Sequence, residues 1–377
     1  MRGKSEPLLP TVTGTAVLND VDCEVGFSVD EQGRIEASFA SAAPVVESVD
    51  FEWPKQQSVS GTTADGRQFI LRDCFLRSHG LSFGEAERER PFRLSLAAGS
   101  ASIGRTGAAP SRTEFALANQ WLTIRQKVLF DGAEIELRPA DPNVGGHTGL
   151  AKGQPAWITH WASVVTPDEQ EISDADDVVR CLAHTLSMLA LERVIVPCYR
   201  VLDQDGDIAR WEFRRLWWPE HRGHHEVYEH DIGEPLSVVG QHRIRQIFRE
   251  LELPRYVDYV VEAWRDDVYV EIGLTCILFA LELLGASWVR RAGISPRDKN
   301  LAMKLEHIDR ELGCVPEKFT SPWLAQRLRN PLMHTGVVSR MTVSEIHAAT
   351  RELVVMAIDV FFKMFGYERD ADRTAAG

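Results

Sequence analysis

The chain has 377 residues, of which 44% are hydrophobic and 26% charged, and this length predicts two or three globular domains. Its formal net charge of -13 excludes a protein that coats nucleic acid through overall positive charge, so any RNA contact needs a local basic patch. The first residues lack a long apolar segment, so no secretory signal is expected. Six scattered cysteines without a C-x-x-C pair argue against a zinc site and a disulfide framework, and they favour a cytoplasmic protein.

The first 155 residues have the pattern of an antiparallel β domain, predicted as a sandwich or partial barrel. Cys23, Val25, Phe27 and Val29 alternate with polar or small residues, which is the period of a half-buried strand. Hairpin turns are predicted at 65–66 and 131–132, where Asp is followed by Gly. Residues 141–155 form a loop rich in glycine and proline.

Residues 156–238 are predicted to connect this domain to the rest of the chain as a mixed α/β segment. A helix is expected over Ala175–Arg193, and strands are expected over Val194–Val201 and Ile208–Trp217. The aspartates of residues 203–207 favour a turn between these strands, since a calcium loop would have its glycine at the sixth position. The aromatic residues of Trp211–Trp218 are predicted to lie in a core.

Residues 239–367 indicate a bundle of four or five helices, followed by a frayed tail over 368–377, so the predicted class is α+β. One helical pattern runs from Tyr256 to Arg291 with a break predicted near Gly273. Helix starts are indicated by Ser-Pro at 295–296 and 321–322 and by the capping box that begins at Thr342. The most apolar run, residues 274–289, contains a glutamate and is predicted to be too short to span a bilayer.

The candidate site is the hexapeptide Arg329-Asn330-Pro331-Leu332-Met333-His334. Arginine is always charged and forks onto phosphate, and histidine exchanges protons near neutral pH. In a regular α-helix a five-residue step separates two side chains by about 140°. Pro331 interrupts the helix, which would let both side chains face one cleft. The alternative is a solvated arginine and a histidine at a helix end.

The sequence around this hexapeptide is basic. Between residues 318 and 344 there is no acidic residue, and the four cations are Lys318, Arg327, Arg329 and Arg340. Such a local positive field suits a phosphate. Lys318, Arg327 and Arg340 are therefore the expected substrate-binding residues beside Arg329.

The hexapeptide resembles the Arg-x4-His motif of the HEPN superfamily, helical domains that include many metal-independent ribonucleases. Asn330 matches the polar residue that this family favours after the arginine, and Glu282 best matches its acidic residue on an earlier helix, with Glu271 next. The layout of β-rich region and helical bundle resembles the ApeA-type antiphage proteins.

The resemblance implies an endoribonuclease of a toxin or antiphage system that needs no metal or other cofactor. His334 would be the general acid or base, Arg329 would stabilise the phosphorane, and Asn330 would position the phosphate or His334. Glu282 would orient Arg329 or His334. A homodimer would place two motifs in one cleft, and the β-rich domain would sense a phage-derived or host trigger. Gly336 stands where related toxins carry a tyrosine, so control by adenylylation of that residue is not expected.

Other functions remain open. The bundle is alternatively a catalytically silent binding or dimerisation module whose β-rich domain contacts a partner. His221, His224, His225 and His230 have metal-like spacing, but the segment has the character of a polar connector. The glycine-rich residues 145–152 lack the glycine of a phosphate loop before their lysine. No catalytic constellation is evident in the β-rich half, and no membrane partner is expected.

Overall fold

The computed structural model describes residues 9–18, 21–30, 34–41, 57–80, 93–118, 126–140, 158–214, 233–265, 268–338 and 341–368. It confirms an α+β fold with an antiparallel β-rich region followed by a helical region. The chain divides into two compact units. The β unit comprises residues 1–119, 138–175 and 195–221, and the helical unit comprises residues 120–137, 176–194 and 222–377.

Six strands form a closed antiparallel barrel in the β unit, because the fourth strand pairs with both the first and the fifth. Around the barrel their order is β1, β2, β3, β6, β5 and β4. Their bounds are β1 Leu9–Leu18, β2 Val21–Val29, β3 Ile35–Ser41, β4 Gln57–Thr63, β5 Gln68–Gly80 and β6 Arg93–Ala98. The alternation predicted for β2 is confirmed, since Cys23, Val25, Phe27 and Val29 are all buried. Inside the barrel the rings of Phe27 and Phe69 lie 5.1 Å apart.

The barrel continues into a second antiparallel sheet through a bend at Asp73 and Gly99. Asp73 has a φ of 54°, which breaks the regular course of β5. A Cβ on Gly99 would lie 2.8 Å from the Cβ of Asp73, so a residue without a side chain is needed opposite the bend. The strands of this second sheet follow the order β7, β13, β12, β8 and β11. Their bounds are β7 Ser100–Gly104, β8 Arg112–Ala118, β11 Ile158–Val165, β12 Cys198–Leu202 and β13 Ile208–Arg214.

The two units do not follow the predicted domain boundaries. Strands β11 to β13, which the sequence places in a connecting segment, belong to the β unit. The hairpin of β9 (Gln126–Phe130) and β10 (Ala133–Pro139) belongs to the helical unit up to residue 137. Its predicted Asp-Gly turn is confirmed, with φ values of 50° and 83°. In the turn over 203–207, Asp203 Oδ1 accepts hydrogen bonds from the N–H groups of Asp205 and Asp207.

The helices are somewhat displaced from the predicted ones. They are α1 Glu169–Ala190, α2 Gly233–Gly240, α3 Ile244–Glu250, α4 Leu253–Ala263, α5 Val270–Arg291, α6 Leu301–Leu312, α7 Glu317–Thr320, α8 Asn330–Thr335 and α9 Val343–Lys363. The break in the long pattern precedes Tyr269 rather than falling at Gly273, which is buried within α5. Asn300 caps α6, and Pro296–Asp298 form only a short 3₁₀ turn. The capping box at Thr342 is confirmed.

Helix α5 is the central helix of the bundle and packs against α4, α6 and α9. With 22 residues it is longer than the apolar run suggested, and by length and composition alone it could cross a membrane. However, 61% of its most apolar stretch of 18 residues is buried, and a buried core helix can have the same length and apolar composition as a membrane-spanning helix. All six cysteines lie in the described residues and none forms a disulfide.

Several predicted features lie outside the described residues. These are the first eight residues, the loop over 141–155, the histidines of 221–230, Trp217 and Trp218, and the tail from residue 369.

Candidate active site

Three helical segments bring together one carboxylate and two cations. Glu282 lies in the middle of α5, Lys304 lies in the first turn of α6, and Arg329 directly precedes α8. The Nε of Arg329 donates to Glu282 Oε1 at 2.9 Å, and the Nζ of Lys304 donates to Glu282 Oε2 at 2.7 Å. Each carboxylate oxygen therefore binds one cation, and the cluster carries a formal charge of about +1 at neutral pH.

Two of these three residues were candidates from the sequence, and the third was not. Glu282 contacts Arg329, and such a contact is needed if Glu282 is to orient that arginine. Glu271, the second candidate acid, is eleven residues away on the same helix, about 16 Å along its axis. Lys304 was missed because a lysine at a helix start normally lies in solvent, and only the packing of α6 against α5 shows its contact.

The break predicted at Pro331 is absent, and a widened helical turn precedes the proline instead. Residues Leu324–Arg329 are π-helical, and the Asn330 N–H bonds to the Ala325 carbonyl five residues back. In a regular α-helix the Pro331 ring would clash with the carbonyl of Arg327, and the extra residue in the turn relieves this clash. Arg329 and Asn330 both have right-handed helical backbone, and α8 runs through Pro331 to Thr335. Arg329 and His334 are therefore still separated by a five-residue helical step, and the prediction that Pro331 breaks the helix between them is wrong.

His334 lies in the last turn of α8, immediately before the helix ends. Gly336 follows with a φ of 73°, the left-handed conformation that closes many helices. The His334 and Asn330 side chains are exposed. Within the described residues neither makes a side-chain hydrogen bond or ion pair, and Arg329 bonds to Glu282 rather than to His334. The imidazole of His334 and the amide of Asn330 are thus both accessible to a substrate.

The basic surface predicted around the hexapeptide is weaker than the sequence suggests. Lys318 is paired with Glu352 of α9, and its Nζ lies 4.9 Å from the Phe319 ring centroid. Arg327 is exposed and has no ion pair within the described residues. Arg340 lies outside the described residues. The absence of acids in the local sequence was misleading, because Glu282 and Glu352 approach from other helices.

No three His, Cys, Asp or Glu side chains among the described residues are grouped so that they could hold a metal ion. Comparison of the chain with protein-family models, curated proteins and solved structures gives no match. The candidate site therefore depends on its own geometry: a shared carboxylate holds Arg329, and an exposed asparagine and histidine follow it on the same helix.

Proposed function

We propose that the chain is a metal-independent endoribonuclease of the HEPN type that acts in the cytoplasm as a toxin or antiphage effector. The observation that supports this proposal is the Arg329–Glu282 contact. A carboxylate on one helix fixes a guanidinium at the start of the helix that carries His334. A fixed cation and an accessible imidazole are the minimum needed for acid–base cleavage at a phosphate.

The reaction proposed is attack of an RNA 2′-hydroxyl on the adjacent phosphorus. His334 accepts the 2′-hydroxyl proton, or donates a proton to the 5′-oxygen as the P–O5′ bond breaks. Arg329 stabilises the charge on the phosphorane oxygens, and Asn330 positions the phosphate. The products have a 2′,3′-cyclic phosphate and a 5′-hydroxyl end.

One chain supplies one hexapeptide histidine, whereas this reaction uses both an acid and a base. A homodimer with two motifs in one cleft would provide both. An apolar surface for such a contact is present on α4 and α5, where Tyr259, Ile272 and Phe279 are at least 37% exposed. In this proposal the β unit senses a phage-derived or host trigger.

The test is RNA degradation in the presence of EDTA by the wild type, His334→Ala and Arg329→Ala. We expect both variants to lose at least about a hundredfold in rate, since each removes a group that acts in the transition state. His347→Ala and Arg255→Ala are matched controls, because both residues are exposed and lie on other helices. Equal degradation by all five proteins would show that another group, or a contaminant, cleaves the RNA.

The second candidate is a catalytically silent binding or dimerisation module. It is favoured by the pairing of Arg329 with Glu282 and of Lys318 with Glu352, which leaves little free positive charge for RNA. Overexpression separates the two functions. Growth arrest that His334→Ala abolishes supports the enzyme, and growth arrest that persists in this variant supports the binding module.

A further inference from the structure

Lys304 is the least exposed cation of the candidate site. Its side chain is 10% exposed, against 37% for Arg329, although it ends in a primary ammonium group. Lysine is almost never buried without a partner, because removing its charge from water is costly. The partner here is Glu282, the same carboxylate that binds Arg329.

A second unfavourable feature, a glycine within helix α5, lies against Lys304. Gly285 lies three residues after Glu282, on the same side of the helix, and glycine within a helix is destabilising. A Cβ at Gly285 would lie 2.8 Å from the Cβ of Lys304 and 3.4 Å from its Cδ. The missing side chain therefore makes room for the stem of Lys304. Local rules that are broken together at one point are typical of functional sites.

We infer that Lys304 is a positioning residue that holds Glu282 so that Arg329 is oriented for a phosphate. This inference rests on the proposed ribonuclease function. Lys304 occupies Oε2, so Oε1 remains for Arg329, which bonds to it through Nε within the described residues. The two terminal nitrogens of the guanidinium are then left to donate to phosphate oxygens.

Without Lys304 the carboxylate would have two oxygens for one arginine. Carboxylates and guanidinium groups commonly form two parallel hydrogen bonds, and that arrangement would draw terminal nitrogens of Arg329 toward Glu282. It would also reduce the formal charge of the cluster from about +1 to about 0. Lys304 therefore prevents Glu282 from fully neutralising the arginine that the reaction needs.

The activity test uses Lys304→Met, which removes the ammonium group and keeps most of the stem. We expect kcat for RNA cleavage to fall at least tenfold while KM changes less than threefold, because Arg329 acts mainly in the transition state. Lys304→Arg should recover part of the lost kcat. The matched control is Lys127→Met, since Lys127 also pairs with a glutamate but on the exposed β9–β10 hairpin. Equal kcat in wild type and Lys304→Met would overturn the inference.

A second readout does not require activity. In protein labelled with ¹⁵N-arginine, the Nε–H resonance of Arg329 is assigned as the one missing from Arg329→Lys. We expect this resonance to shift in Lys304→Met and to remain in place in Lys127→Met. Loss of activity without this shift would also overturn the inference.

Gly285→Ala provides an independent variant if Lys304→Met fails to fold. The added methyl group displaces the Lys304 stem and leaves its ammonium group chemically intact, so the same resonance should shift and kcat should fall. An unchanged resonance and unchanged kcat would contradict the inference. If the wild type cleaves no RNA, the proposed function fails, and the resonance alone still decides whether Lys304 orients Arg329.

Discussion

Each unit of the molecule contains a carboxylate that is shared by two cations, and the two clusters differ in what surrounds them. In the β unit, Glu114 binds Arg138 and Arg200, and its side chain is only 3% exposed. The guanidinium of Arg200 lies 4.4 Å from the ring centroid of Trp161 and 5.7 Å from that of Trp211. Aromatic rings therefore cover Arg200, whereas Arg138 is 42% exposed. With its carboxylate buried between cations from two other strands, this cluster is suited to holding strands together.

The cluster of the helical unit has the same number of charges and no such cover. Glu282 is 21% exposed, Arg329 is 37% exposed, and no aromatic ring within the described residues stacks on Arg329. Arg329 also lies at a π-helical turn, a feature that frequently occurs at functional sites. The clearest difference between the clusters is therefore the carboxylate, which is 3% exposed in the β unit and 21% exposed in the helical unit.

The largest effect on stability is expected from removing the buried carboxylate. Glu114→Gln leaves Arg138 and Arg200 without a counter-charge, so the free energy of unfolding should fall by about 3–5 kcal/mol. Glu282→Gln should cost less, about 1–2 kcal/mol, because its cluster is more accessible to water. Denaturant unfolding of both variants measures the difference. The comparison between the clusters is wrong if Glu282→Gln is the more destabilising of the two.

A control for this pair of variants is Glu134→Gln. Glu134 forms an exposed ion pair with Lys127 on the β9–β10 hairpin, and such pairs contribute little. Its midpoint of unfolding should equal that of the wild type. A large loss here would mean that any glutamate substitution destabilises the chain.

Acid should destabilise the helical unit through His184, a half-buried histidine whose ring packs against Phe248. The pKa of His184 is lowered from 6.5 to about 4, chiefly by burial; the charge of Asp258 opposes this shift, and those of Arg193 and Arg180 contribute to it. The unfolded chain therefore binds a proton near pH 6.5, and the folded unit does not until about pH 4. The contribution of His184 to the free energy of unfolding is complete above pH 6.5. It decreases as the pH falls toward 4, by up to about 1.4 kcal/mol for each step of one in pH.

This pH dependence is measured from the unfolding free energy of the wild type and His184→Gln between pH 4 and 7. The variant should have a flatter profile over this interval, whereas His347→Gln, which changes an exposed histidine, should follow the wild type. Parallel profiles for all three proteins would assign the acid sensitivity to other groups.

The sequence predicted the features that depend on neighbouring residues. Alternation in β2, the Asp131-Gly132 turn and the capping box at Thr342 are all local patterns, and the structure confirms each. Closure of the barrel could not be predicted, since it depends on β4 pairing with β1, which is about 45 residues away. The membership of β11 to β13 in the second sheet has the same cause.

In the candidate site, too, the local features were predictable from the sequence and the contacts between distant segments were not. The Arg-to-His hexapeptide is contiguous, so its residue types were evident, and a family resemblance indicated Glu282. Lys304 and Glu352 were missed because they come from other helices, and their contacts are set by packing. Pro331 indicated a break in the α-helix, but the helix continues through the proline, and sequence periodicity does not reveal the π-helical turn that precedes it.

Apart from the controls, the smallest effect on stability is expected from Pro331→Ala, which tests whether the π-helical turn sets the position of Arg329. Alanine removes the clash with the Arg327 carbonyl and restores an N–H, so the turn can relax toward a regular α-helix. The unfolding free energy should change by about 1 kcal/mol or less. RNA cleavage should fall at least tenfold, because a regular turn rotates Arg329 relative to Glu282. Full cleavage activity in Pro331→Ala would show that the π-helical turn only accommodates the proline and does not set the position of Arg329.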